Sequence, residues 1–76
     1  MYPTPPSRPL TAREQTVIGL LATGLTIPQV AGALQISRHT ARAHADEVRA
    51  KLGASTIAHA VAICYQHGIL DSTLAA

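Results

Sequence analysis

The sequence predicts an all-α fold of four short helices, and three observations support this prediction. First, potential helix N-caps precede four segments in which apolar residues recur at helical spacing: Thr11, Thr26, Ser37 and Thr56. Second, glycines suited to a helix C′ position follow three of these segments: Gly24, Gly53 and Gly68. Third, the 76 residues contain no Phe or Trp and show no period-two alternation. Small aliphatic side chains must therefore form the core, which suits helices that meet at close range.

Composition restricts the possible functions. A single cysteine, Cys64, excludes a disulfide within the chain and any zinc site built from several cysteines. No apolar run approaches the ~18 residues of a membrane span, and the N-terminus lacks the apolar region of a secretory signal. We therefore expect a cytoplasmic protein. The net charge of +2 and pI of about 9.2 are mild, so the placement of the charges is more informative than their sum.

The polar residues do not suggest catalysis. No nucleophile, base and orienting group can be assembled from them, because they fall in helix caps and on one basic face. Cys64 and His67 are three residues apart and could share a metal, but no second pair accompanies them, so a core cysteine is the default. The sequence thus predicts a protein that is not an enzyme and that holds no metal or cofactor.

The domain is expected to span residues 10–70. Residues 1–9 carry four prolines and are predicted to form a flexible arm. Within this arm Arg8 could contact a phosphate or enter a minor groove, although a solvated tail is the favoured alternative. Residues 71–76 are predicted to be a frayed tail.

The first two helices begin with similar signals. The segment from Leu10 to Gly24 starts with a T-x-x-E capping box, formed by Thr11 and Glu14, and is predicted to be scaffold. The segment from Leu25 to Gln35 repeats the box as T-x-x-Q, with Pro28 in the first turn, and predicts a helix of about two turns. A tight connection then leads to Ser37.

The third helix, from Ser37 to Leu52, contains four of the six Lys and Arg residues. Its apolar stripe is narrow and consists of Ala41, Ala45, Val48 and Leu52. The basic side chains fall mainly on the other side. A short helix followed closely by a basic helix is typical of the helix-turn-helix arrangement. A small-residue inner face and a basic outer face suit a helix placed in a DNA groove.

The fourth helix, from Thr56 to about His67, is apolar nearly all round. A terminal helix of a small domain should have a hydrated face, so this helix would gain by pairing with its own copy across a two-fold axis. The predicted pairing surface consists of Ile57, Ala58, Val61, Ala62 and Tyr65.

The run LTAREQTVIGLLATGLTIPQVAGALQISRHTARAHADEVRAKLG, followed by a fourth helix, resembles the LuxR/GerE-type helix-turn-helix domain of bacterial transcription regulators. The resemblance implies a four-helix domain whose third helix enters the major groove and whose C-terminal helix makes a homodimer. It implies base contacts from Arg42, Ala43 and Asp46. It also implies DNA-backbone contacts from Thr26, Ser37, Arg38, Thr40, His44 and Lys51.

The sequence departs from the family pattern at two places. A basic or amide residue is usual in the family at Asp46, and Glu47 adds a second carboxylate beside it. Asp46 could accept from the exocyclic amine of cytosine, or it could pair with Arg42 or Arg49 and neutralise it. The family often has charged residues at Ile57 and Ala62, so the apolar residues here support the pairing surface.

The leading hypothesis is a sequence-specific regulator of transcription that binds double-stranded DNA as a homodimer on the nucleoid, with RNA polymerase as a further candidate partner. The alternative is a protein-interaction module that contacts RNA polymerase, a sigma factor or another regulator with little DNA reading. A third, fainter possibility is a sigma-factor fragment. A receiver or ligand-binding domain commonly precedes this module in the family; the chain is either a stand-alone member or an excised output domain, and the opening Met favours the former.

Overall fold

The computed structural model describes residues 10–70, which form four α-helices joined by short connections. The helices are α1 (Ala12–Ala22), α2 (Ile27–Leu34), α3 (Arg38–Leu52) and α4 (Ile57–Gln66). The all-α prediction is confirmed, and no strand occurs in this part of the chain. The predicted arm at residues 1–9, with Arg8, and the predicted tail at residues 71–76 lie outside the described residues.

The four predicted N-caps all form. Each hydroxyl accepts a hydrogen bond from the backbone amide three residues later, at 3.0 to 3.3 Å. The capping boxes of α1 and α2 are complete, because the side chains of Glu14 and Gln29 accept in return from the cap amides. These bonds satisfy amides that a helix start leaves without partners, so the sequence fixes the helix starts locally.

The core has two parts, and α3 contributes to both. The α2-side cluster joins α1, α2 and the first half of α3, and consists of Val17, Val30, Ala31, Ala41 and Ala45. The α4-side cluster joins α1, the second half of α3, α4 and the segment after it, and consists of Ile18, Val48, Leu52, Ala60, Ile63, Cys64 and Leu70. Consequently α3 packs against all three other helices along its predicted apolar stripe, and its opposite face is left to solvent.

Candidate nucleic-acid interface

The start of α3 is fixed by the connection from α2. Gln35 has a φ of 56°, in the left-handed region that non-glycine residues rarely adopt. This conformation ends α2 and brings the amide of Ile36 to the carbonyl of Ala31 at 3.0 Å. Ser37 then caps α3 through the amide of Thr40. The two helices are therefore joined by three residues, as the helix-turn-helix prediction requires.

The outward face of α3 carries the residues predicted to read DNA bases. Arg42, Ala43 and Asp46 are all exposed, as are Arg38 and His39 on the same helix. Within residues 10–70, no hydrogen bond or ion pair engages the guanidinium of Arg42 or Arg38. Both cations are available to an external anion or to a hydrogen-bond acceptor.

Most of the other residues predicted to contact the DNA backbone lie at the starts of α2 and α3, and His44 follows further along α3. The hydroxyl groups of Thr26, Ser37 and Thr40 belong to exposed residues, and His44 is half-buried. Ser37 donates its hydroxyl proton to the Thr40 oxygen at 2.9 Å. Thr26 and Ser37 thus act as N-caps, the Thr40 hydroxyl accepts from Ser37, and all three residues stay accessible at the surface.

Lys51, which the resemblance places at the DNA backbone, is instead engaged within the protein. Its ammonium donates to Oε1 of Glu14 at 2.7 Å, and the two side chains are only 7% and 6% exposed. A phosphate could reach Lys51 only if this pair opened. Lys51 is therefore left out of the proposed DNA surface, and its role is to join the end of α3 to the start of α1.

The surroundings of Glu14 favour its charged form. Burial raises the pKa of the carboxyl group, but the bond from Lys51, the bond from the amide of Thr11 and the charge of Lys51 together hold the pKa below its ordinary value. The sequence identified Glu14 only as half of a capping box. Its second partner lies 37 residues away, and no local pattern points to it.

Arg49 also forms a hydrogen bond within the protein. Its Nη1 donates to the carbonyl oxygen of Ser55 at 3.0 Å, which ties α3 to the connection that leads into α4. Its Nε lies 4.0 Å from Oδ1 of Asp46. Of the two partners considered for Asp46, the structure therefore places Arg49 nearby, with one long contact.

The predicted pairing surface lies along α4. Ala58 and Ala62 are exposed, and Val61 and Tyr65 are half-buried beside them. Ile57 is half-buried because it packs against both core clusters. The opposite side of the helix is in the core, where Ala60, Ile63 and Cys64 are buried.

The other surface groove and the cysteine lie away from the outward face of α3. A groove of about 550 Å³ beside α1 contains no charged side chain, and the hydroxyls of Thr16 and Thr23 in it donate to carbonyls of their own helix. Cys64 is buried, and burial raises the pKa of its thiol, which disfavours the reactive thiolate. Among residues 10–70, no group of three His, Cys, Asp or Glu side chains could hold a metal ion. In the same residues, no helix has the length and apolarity needed to cross a membrane.

Comparisons with known proteins agree with this geometry. The family described as "Bacterial regulatory proteins, luxR family" matches residues 8–64. The chain is 36% identical over 65 residues to the transcriptional regulatory protein MctR of Rhizobium johnstonii, covering 86% of this chain and 30% of MctR. It is 39% identical over 72 residues to the transcriptional activator protein BjaR1 of Bradyrhizobium diazoefficiens, covering 93% of this chain and 30% of BjaR1.

A solved structure shares the fold. The response regulator ChrA of a heme-sensing two-component system superposes with a TM-score of 0.80 at 31% identity, over 86% of this chain and 32% of ChrA. The chain thus spans about a third or less of the proteins it matches. With a family match over most of its length and a fold in which α2 and α3 form the expected pair, the chain belongs to the luxR family of bacterial regulatory proteins.

Proposed function

We propose that this domain binds double-stranded DNA in a sequence-specific manner, with α3 in the major groove, and regulates transcription as a homodimer on the nucleoid in the cytoplasm. The observation that carries this proposal is the accessibility of the Arg42 side chain. It is exposed in the second turn of a fifteen-residue helix whose inner face is packed, and no group in residues 10–70 engages its guanidinium. A guanidinium in this position can donate two parallel hydrogen bonds to the O6 and N7 atoms of guanine.

The rest of the surface suits a supporting role. The starts of α2 and α3 carry Arg38, the exposed N-caps Thr26 and Ser37, and the exposed Thr40 in the first turn of α3. Side chains and free amides there can contact phosphates. Such contacts provide affinity that depends on salt and fix the position of α3, while Arg42 provides the preference for a base. Ala43 can meet the methyl group of a thymine.

Dimer formation would compensate for the small number of outward cations. A single copy presents only Arg38 and Arg42 as unengaged cations on the described part of α3, so its affinity should be low. Two copies joined through α4 would place two such helices on half-sites about one helical turn apart. Their binding energies then combine through the high effective concentration of the second helix.

The test is a comparison of two arginine variants. We expect Arg42→Ala to weaken binding to a selected duplex by about 1–3 kcal/mol and to relax the base preference at one position, as measured by fluorescence anisotropy over a salt series. Arg13→Ala, which removes the same charge from an exposed position on α1, is the matched control and should have a smaller, sequence-independent effect. Equal losses on selected and random duplexes would reassign Arg42 to the DNA backbone.

Dimer formation has its own test. Ala62→Glu places a charge on the exposed side of α4 and should shift the protein from dimer to monomer in analytical ultracentrifugation. Ala33→Glu makes the same chemical change at an exposed position on α2 and should leave the association state unchanged. If both variants sediment like the parent protein, α4 is not the pairing surface.

The second candidate function is a protein-interaction module that contacts RNA polymerase, a sigma factor or another regulator. The two carboxylates of Asp46 and Glu47 on or beside the α3 surface favour it, because they repel phosphates. An in vitro selection on random duplex DNA separates the two candidates. An enriched palindromic motif supports the regulator, whereas the absence of any enriched motif at low salt supports the interaction module.

A further inference from the structure

Asp46 is placed where it can affect which base pair is read. It is exposed on α3, four residues after Arg42, which is a separation of about 6 Å along the helix axis. Successive bases along one DNA strand are about 3.4 Å apart. If Arg42 contacts a guanine, as proposed above, Asp46 faces a base pair within about two steps of it.

The structure gives little support to the alternative that Asp46 only neutralises an arginine. Within residues 10–70 its carboxylate approaches only Nε of Arg49, at 4.0 Å, and the side chains of Asp46 and Arg49 are 50% and 41% exposed. Arg49 holds a shorter bond to the carbonyl of Ser55, which keeps its guanidinium beside the α3–α4 connection. Exposed pairs of this kind are weak, so the carboxylate keeps accepting capacity for another donor.

The groups that each base presents in the major groove indicate which base can donate to the Asp46 carboxylate. An ionised carboxylate only accepts hydrogen bonds, and guanine and thymine offer it acceptor atoms that repel it. Cytosine offers the N4 amine as its major-groove group, whereas adenine places the acceptor N7 beside its N6 amine. Cytosine is therefore the base that a carboxylate at this place gains most by contacting.

We infer that Asp46 is a specificity-determining residue that selects a cytosine within about two base pairs of the guanine contacted by Arg42. This inference rests on the proposed function. On the outward face of α3, the cation Arg42 would then select one base by donating hydrogen bonds, and the anion Asp46 would select a nearby base by accepting one.

The experiment compares the motifs that three forms of the chain enrich from random duplex DNA: the parent protein, Asp46→Asn and Glu47→Gln. The parent motif should contain the cytosine. Asp46→Asn keeps the shape of the side chain but adds an amide that can bond to both N6 and N7 of adenine, so the same position should change from cytosine to adenine. Glu47→Gln removes the neighbouring carboxylate charge and should leave the motif unchanged.

Fluorescence anisotropy on two duplexes that differ only at this position, cytosine in one and adenine in the other, measures the size of the base preference. The parent should prefer the cytosine duplex roughly tenfold, and Asp46→Asn should reverse the order. Circular dichroism of each variant checks that the fold is kept.

The outcomes separate the two proposals. If Asp46→Asn enriches the same motif as the parent, or binds all duplexes more tightly by the same factor, Asp46 does not select a base. The DNA-binding proposal would still stand. An adenine in the parent motif overturns the choice of cytosine. If the parent enriches no motif, the proposed function fails and the inference fails with it.

Discussion

Breaking the buried pair between Glu14 and Lys51 from one side should strongly destabilise this small domain. Oε1 of Glu14 accepts from Nζ of Lys51 at 2.7 Å and from the amide of Thr11 at 2.9 Å, so one oxygen joins the start of α1 to the end of α3. Both side chains are less than a tenth exposed. Lys51→Met removes the ammonium and keeps an apolar stem of similar length. It leaves a buried carboxylate without its cation.

Removing one partner of a buried pair typically destabilises by about 3–5 kcal/mol, because the remaining charge is not compensated. Small domains are stable by only about 5–15 kcal/mol in total. We therefore expect Lys51→Met to lose a large part of the free energy of unfolding. The double variant Glu14→Gln with Lys51→Met should regain most of the loss, since it leaves no buried charge and the Gln oxygen can still accept from Thr11.

Urea denaturation followed by far-UV circular dichroism measures the free energy of unfolding for the parent, both single variants and the double variant. The coupling energy follows from the double-mutant cycle. A loss below about 1 kcal/mol in Lys51→Met, or a double variant no more stable than it, would refute the assignment of the pair as a structural link.

Because of this pair, we also expect the free energy of unfolding to depend on pH. Because the pKa of Glu14 in the folded protein is below the value of 4.5 that the carboxyl group has when unperturbed, its charge stabilises the fold fully above pH 4.5. This stabilisation is lost as the pH falls through the folded pKa. The free energy of unfolding of the parent should therefore decrease below pH 4.5 more steeply than that of Glu14→Gln, whose other acidic groups are the same.

The remaining predictions concern caps, glycines and the cysteine. Ser37→Ala removes the acceptor for the amide of Thr40 and should lower the free energy of unfolding by about 1 kcal/mol in the same urea assay. Gly32→Ala in α2 should raise it by roughly 0.5–1 kcal/mol, since a Cβ there meets nothing within 4 Å. Gly53→Ala should lower it instead, because φ is +65° at that position. The thiol of Cys64 should react with a thiol reagent only at the rate of unfolding, since it is buried and its pKa is raised; fast labelling of native protein would contradict its burial.

The parts of the structure that sequence reasoning predicted well are those that depend on neighbouring residues. Each N-cap needs only one hydroxyl and an amide three residues later, so the pattern in the chain is enough. The same holds for the stripe from Ala41 to Leu52, whose spacing places the opposite side of α3 in solvent. The exposure of Arg42 and Asp46 follows from that spacing.

The parts that were missed depend on packing between distant segments. Lys51 is three residues after buried Val48, at the edge of the apolar stripe, where periodicity alone does not decide between solvent and an inward partner. The approach of α1 decides it. Gln35 is left-handed without the usual sequence signal, which is Gly or Asn. Its conformation is held by the hydrogen bond that the amide of Ile36 donates to the carbonyl of Ala31 in α2.

The division of the cations on α3 between internal and outward positions should limit the affinity of one copy for DNA. Of its four Lys and Arg side chains, Lys51 and Arg49 bond to the protein itself, and Arg38 and Arg42 face solvent without a partner in residues 10–70. Each phosphate neutralised contributes about 0.9 to the slope of log K against log salt on B-DNA, so one copy should show a shallow slope. A dimer that uses the same contacts twice should show about twice the slope and a much higher affinity for paired half-sites. The salt slope on single and paired half-sites therefore tests whether DNA binding by this domain depends on α4.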